Sequence, residues 1–170
     1  MVQFARPDAD EVLGTWTDDG SGTTDIFQAI DEISRSDTDF IITGNNPASD
    51  IYRAQLSNVT DPAVSTGHIV RYAFGKDAGA RDIGIVVDLL QGASTVIATK
   101  TESAVAVGFA AGTFTLTGGE ADNITDYTDL RIRFTADTTG SGAPAQAQIS
   151  WFELEVPDSG FAHSQGCIIG

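Results

Sequence analysis

The 170-residue chain sets 24 Asp+Glu against 9 Lys+Arg, a formal charge of −15 at pH 7. That balance argues against binding nucleic acid, which needs cations to neutralise phosphates, and against anionic membranes. A single cysteine, Cys167, and two histidines, His68 and His163, exclude a disulfide framework, a cysteine zinc site and a histidine-rich metal centre.

Apolar residues make up 41% of the chain, enough for one ordinary domain that buries roughly 70% of the surface its unfolded chain exposes. No apolar run reaches the ~20 residues of a membrane helix, and the first ten residues lack the basic and apolar blocks of a secretory signal. The chain therefore reads as soluble and unprocessed, with residues 1–157 as a single domain and 158–170 as a tail.

Taken in chain order, the first strand candidate is 12–17. Residues 25–34 follow as a helix, with Thr24 as cap, Asp25 favouring its N-terminus, and Ile26, Phe27, Ile30 and Ile33 forming a stripe at helical spacing. Residues 40–43 and 51–57 are short strands. In 67–76, His68, Val70, Tyr72 and Phe74 share one face, and in 81–90 Ile83, Ile85, Val87 and Leu89 share another. The turn-like 76–80 between them predicts a hairpin, and 94–101 extends it into a meander.

Strands at 105–109 and 113–117 follow, then a short turn around 119–124 with Thr117 as its cap. In 129–136, Leu130, Ile132 and Phe134 alternate with Arg131, Arg133 and Thr135, which gives one core face and one outer face. In 148–156 the apolar parity switches at Trp151-Phe152, as a bulge or two-sided burial would produce. About eight short strands with one helix near the N-terminus make an all-β, jelly-roll-like antiparallel β-sandwich. Trp16, Phe74, Ile85, Ile132, Phe134 and Trp151 are its expected core.

Enzyme signatures are absent: there is no Gly-x-Ser-x-Gly elbow, phosphate-binding loop or Cys-x-x-Cys pair, and no motif implies a cofactor. A Ser-His-Asp triad would have to use His68 or His163. His68 reads as a packing residue at a strand end and His163 as a tail residue. The carboxylates of 8–25 lack EF-hand spacing, and the acidic pairs carry no distinctive glycosidase signal. The chain is read as a non-enzyme without a metal, calcium being the one open alternative.

Five segments carry a resemblance: Arg6-Pro7-Asp8-Ala9-Asp10, Gly14-Thr15-Trp16-Thr17, Asp25-Ile26-Phe27-Gln28-Ala29-Ile30-Asp31-Glu32, Ser65-Thr66-Gly67-His68-Ile69-Val70-Arg71-Tyr72, and 124–134. Together with Ser36-Asp37-Thr38-Asp39-Phe40-Ile41, they resemble small β-sandwich virion structural proteins of tailed bacteriophages, capsid decoration (cement) or tail-associated, over residues 5–156. The resemblance implies a jelly-roll-like fold and assembly rather than catalysis. The expected role is a capsid decoration protein in the virion, binding the assembled major capsid protein or other virion proteins. It would act as a homo-oligomer, a trimer being favoured, with no nucleic acid or membrane partner. The alternative is a tail or fibre component with a carbohydrate- or receptor-binding role. Phe161, Cys167, Ile168 and Ile169 in the tail are the expected subunit-contact residues, because docking would remove their apolar surface from water.

Overall fold

Alternation of apolar and polar residues puts one face of each long strand inward. In the computed structural model, which describes residues 2–19 and 24–158, those faces meet in two antiparallel sheets. The first sheet has the order β3-β4-β11-β6-β9. It is built from β3 (Thr17–Asp18), β4 (Ile41–Ile42), β11 (Ala147–Pro157), β6 (Ile69–Lys76) and β9 (Gly108–Thr115). A further strand, β1 (Val2–Ala5), pairs with the distal half of β11. The second sheet has the order β2-β5-β10-β7-β8, from β2 (Pro7–Val12), β5 (Asp50–Leu56), β10 (Leu130–Thr139), β7 (Asp82–Gln91) and β8 (Thr95–Glu102). With β4-β11-β6-β9 in one sheet and β5-β10-β7-β8 in the other, the strand order is that of a jelly roll.

The expected inward faces are the observed ones. Ile83, Ile85, Val87 and Leu89 are fully buried, as are Leu130, Ile132 and Phe134. The ring of Phe134 lies 6.4 Å from Tyr52, stacked, and 6.1 Å from Phe152 of the opposite sheet, edge-on, so aromatic contact joins the two layers. Tyr72 of β6 packs its ring over Gly112 of β9, where any side chain would collide with it. Its hydroxyl donates to Glu102 of β8 at 2.5 Å, across the sandwich.

Several expectations change. β6 and β7 do not form a hairpin: β6 pairs with β11 and β9, while β7 pairs with β10 and β8. The 76–80 segment is a corner between sheets, held by Lys76 Nζ donating to the carbonyls of Gly79 and Arg81 at 3.0 and 2.6 Å. Local turn chemistry suits a hairpin or a corner equally, and long-range pairing decides between them. The expected strands 105–109 and 113–117 are largely one, β9, while β1 and most of β2 lie where none was expected.

The expected helix 25–34 is a single 3₁₀ turn over Ile26–Ala29. Its cap is Asp25, without a side-chain hydrogen bond, and Asp10 Oδ1 accepts from Phe27 N instead. Of the expected stripe, Ile26 and Ile30 are buried, with Ala29 beside them, while Phe27 is half-buried and Ile33 is 82% exposed. The chain leaves the turn at Ile30 because its carbonyl accepts from Phe152 N of β11 at 3.0 Å. A continued helix would retain that carbonyl for its own i+4 amide. The turn expected near 119–124 is α1 (Gly118–Asp122), with Thr117 and Glu120 forming a reciprocal capping box.

Trp16 is buried as expected, whereas Trp151 is only half-buried. A bulge between Ile149 and Trp151 places Ser150 off the β6 register and turns Trp151 to the outer face. There its indole N–H donates to Glu32 O at 2.8 Å. Replacing Phe134 with Ala should destabilise the fold by about 3–5 kcal/mol through the cavity left between Tyr52 and Phe152. Urea unfolding measures it, and an unchanged midpoint would contradict this packing.

Candidate functional site

Three surfaces gather polar side chains. On the outer face of the second sheet, cross-strand registers produce three rows: Ile51, Thr135, Val86, Thr101; then Arg53, Arg133, Asp88, Thr99; then Gln55, Arg131, Leu90, Val96. Arg53 stands directly opposite Arg133, a like-charge pair that would be unfavourable if both reached for one space. They lean apart. Arg53 Nε donates to Glu11 at 2.7 Å, and Arg133 donates through Nε and Nη2 to Asp88 at 3.0 and 2.8 Å. Asp88 also accepts from Thr99 at 2.6 Å. Arg131 bridges Glu11 and Asp129 at 2.7 and 2.5 Å. The result is an ion-paired platform whose guanidinium groups are held in fixed directions by carboxylates.

The second surface is a cleft of about 220 Å³ beside α1, lined by Asp61, Ser65, Asp122 and Tyr127 among others. Ser65 donates to Asp122 at 2.5 Å. His68 is fully buried below, with Nε2 2.7 Å from the Tyr127 hydroxyl. Burial pushes the His68 imidazole down from its ordinary value and the Tyr127 phenol up to about 12, with Asp61 and Asp122 adding to the latter. Both groups are thus uncharged at neutral pH. His68 meets a tyrosine rather than a serine, so among the described residues Ser65 and Asp122 have no imidazole base, and His68 is buried at the strand end where the sequence placed a packing residue.

The third surface is a strap, residues 31–40, lying over the outer face of the first sheet. Arg35 holds Asp37 through two hydrogen bonds at 2.9 and 2.6 Å and reaches Phe109 O of β9 at 3.3 Å. Asp37 also accepts from Ser150 at 2.6 Å, and Phe40 packs on Phe109 at 5.3 Å between centroids. The Arg35 guanidinium, followed by Ser150, holds the Asp37 carboxyl below its usual range. Under the strap, both carboxylate oxygens of Glu32 and Oδ1 of Asp39 are buried without a donor. The two carboxyls face each other, and burial first, then Asp39 and Asp31, raise Glu32 to about 7. Such a pair completes its hydrogen bond when one member keeps a proton.

Among the described residues, no three His, Cys, Asp or Glu are grouped to hold a metal ion. The expected contact residues Phe161, Cys167, Ile168 and Ile169, with His163, lie outside the described residues. The platform and the Glu32–Asp39 pair went unread in the sequence. Alternation placed Arg131 and Arg133 outward, but their partners Glu11 and Asp88 belong to remote segments that no local period links.

No family model matches the chain, and no curated protein matches it. Among solved structures, the chain is similar to the xylan-binding module CBM15, with a TM-score of 0.47 and 11% identity over 93% of this chain and 97% of that one. A CBM4 structure gives 0.45 and 11%, covering 84% and 94%. The enzymatically active domain of bacteriophage CBA120 tailspike protein 4 gives 0.42 and 7%, covering 91% of this chain and 19% of that one. The jelly-roll assignment rests on the strand order itself.

A raised carboxyl binds a proton in the folded state that the unfolded chain releases above about its ordinary value of 4.5. The stabilisation it contributes is fully present below pH 4.5 and is lost as pH rises through about 7. Glu32→Gln, which keeps the hydrogen-bonding shape without the charge, should therefore gain Tm relative to the wild type across that window. Parallel Tm profiles for the two proteins would contradict the shared proton.

Proposed function

We propose that the chain is a structural protein of a bacteriophage virion, a decoration protein that docks on the assembled major-capsid lattice as a homo-oligomer, with a trimer on a local symmetry axis as the expected assembly. The observation that carries the reading is the ion-paired platform on the second sheet. A sheet face with Arg53, Arg131 and Arg133 fixed by carboxylates presents oriented donors at low ordering cost, which suits recognition of another protein surface. The net charge of −15 fits the same role, since it limits the association of decorated particles with one another and repels free nucleic acid.

The alternative is a tail or fibre component that binds carbohydrate. Sugar rings stack on exposed aromatic faces, and among the described residues Phe4, at 37%, is the one aromatic side chain in the exposed range. That distribution favours docking on protein over docking on glycan.

Purified protein should co-sediment with capsids of the encoding phage and leave a glycan panel unlabelled. Thr135→Trp, which raises a bulky side chain in the middle of the platform, should weaken capsid binding by about tenfold or more while far-ultraviolet circular dichroism stays unchanged. Glycan binding without capsid binding would overturn the reading. Full capsid binding by the variant would remove the platform from it.

A further inference from the structure

Among the described residues, each sheet ends in strands paired on one side only, and all but one of these open edges carry a feature that discourages further pairing. β1 and β3 are four and two residues long. β2 holds Pro7, Asp8, Asp10 and Glu11 and shifts register twice against β5. β8 turns Lys100 and Glu102 inward, opposite Val87 and Ile85, and shifts register once against β7. β9 differs: it reads GFAAGTFT, eight residues without a charge or a proline, in unbroken register with β6. Hydrogen-bond parity identifies its unused groups. Leu116 N donates to His68 O at 3.0 Å, so the even-numbered residues of β9 turn their amides and carbonyls towards β6. The odd-numbered Phe109, Ala111, Thr113 and Thr115 present theirs to the open side, and Arg35 reaching Phe109 O agrees with that parity. Ala111, Thr113 and Thr115 are exposed.

We propose that this edge pairs with the same edge of a second copy, β9 running antiparallel to β9 about a two-fold axis at Gly112. Parity sets odd residues opposite odd ones, and the register centred on Gly112 uses every outward group. Phe109 exchanges hydrogen bonds with Thr115 of the second copy, and Ala111 with Thr113 of the second copy, each pair occurring twice. Phe109 O keeps one lone pair for this ladder beside the one that faces Arg35. The side chains fit the same register. On the inner face, half-buried Phe114 stands opposite exposed Ala110 of the second copy, so a large ring covers a small residue on both sides of the axis. At the axis the two Gly112 residues form a closely spaced, non-hydrogen-bonded pair, and their lack of side chains leaves room for the Tyr72 rings. Charge also selects this edge: two chains of −15 repel, and the β9 ladder sets no carboxylate against another. An eight-residue edge is roughly 27 Å long and one sheet layer thick, which puts the contact among the small, reversible ones. The contact is isologous and closes at two copies. It therefore makes the free chain a dimer, and the trimer expected on the lattice needs a separate three-fold contact. The platform, on the outer face of the other sheet, stays free.

Sedimentation equilibrium of the full chain should show a monomer–dimer equilibrium that dissociates on dilution. Its association constant should rise by about tenfold from about 20 mM to about 200 mM salt, as the repulsion between acidic copies is screened. Over the same dilution series, the Ala111 and Thr113 amides should exchange with deuterium about tenfold more slowly in the dimer than in the monomer. Ala111→Pro removes one outward donor without touching the β6 ladder, and it should abolish the dimer with far-ultraviolet circular dichroism unchanged. Two milder variants test the register. Ala111→Lys and Thr113→Glu place opposite charges directly across the axis when the two proteins are mixed, and the mixture should associate about fivefold more tightly than either variant alone. A chain that stays monomeric at millimolar concentration, or forms trimers instead, would overturn the proposal. So would protection at Ala111 and Thr113 that does not depend on concentration, full dimerisation of Ala111→Pro, or a mixture that associates no better than its components. All of these readouts are made without capsids, so they stand or fall separately from capsid binding.

Discussion

The bulge at Ser150 is the constraint on which the first sheet depends. β11 spans the whole sheet, pairing with β4 near its start, β1 near its end and β6 throughout. Without the extra residue, Phe152, Leu154 and Val156 would share the wrong parity with Ile149 and face outward. With it, all four are fully buried, and Trp151 is turned to the outer surface. Ser150 itself is fully buried, so its hydroxyl needs a partner, and Asp37 supplies one at 2.6 Å. That hydrogen bond draws the strap onto the sheet. Trp151 donating to Glu32 O and Phe152 N donating to Ile30 O fasten its near end, and Arg35 at Phe109 O fastens its far end. One inserted residue thus determines core facing, cuts short the N-terminal helix and places an arginine at the mouth of the open edge.

What the sequence made legible follows from the range of each signal. Period-two alternation is local, and it identified the inward faces of β6, β7 and β10 residue by residue. The parity switch at Trp151-Phe152 is also local, and the bulge answers to it. Thr117 with Glu120 three residues later is a contiguous capping signal, and α1 begins there. Pairing between strands is nonlocal, so the 76–80 corner read as a hairpin. The stripe Ile26, Phe27, Ile30, Ile33 fitted a helix because burying Ile26 and Ile30 requires the same first turn, whether the chain then continues or departs. Nothing within 25–34 encodes the amide of Phe152 that draws it away. The platform was half legible: Arg131 and Arg133 were read as outward, but their fixation by Glu11 and Asp88 depends on the sheet order.

The distribution of charge explains how so acidic a chain stays folded. Much of the basic complement is placed where it neutralises carboxylates that would otherwise crowd a sheet face. Asp88 is 3% exposed, a burial that would be costly for an unpaired carboxylate, and Arg133 and Thr99 surround it. Glu153, 5% exposed on the outer face of the first sheet, is met by Arg6 and Arg71. More exposed pairs such as Arg35–Asp37 add little to stability by themselves. Their effect is geometric, since they determine where the guanidinium groups point.

Glu32 and Asp39 depart from that scheme, and the departure follows from the strap's position. No guanidinium faces their buried oxygens, because Arg35 is committed to Asp37 and Phe109 O, and Arg6 to Glu153. A shared proton is then the cheapest remaining way to keep two carboxyls under the strap. The strap is consequently held by bonds of two kinds. The hydrogen bonds that Trp151, Phe152 and Arg35 donate to the carbonyls of Glu32, Ile30 and Phe109 join groups that do not change charge near neutral pH, and Ser150 keeps its bond to Asp37 wherever that carboxyl is ionised. The carboxyl contact, by contrast, weakens towards neutral pH. Since Arg35 belongs to the first set, the strap keeps its hold on Phe109 O when the Glu32 proton leaves, and the geometry of the β9 edge is insulated from that titration.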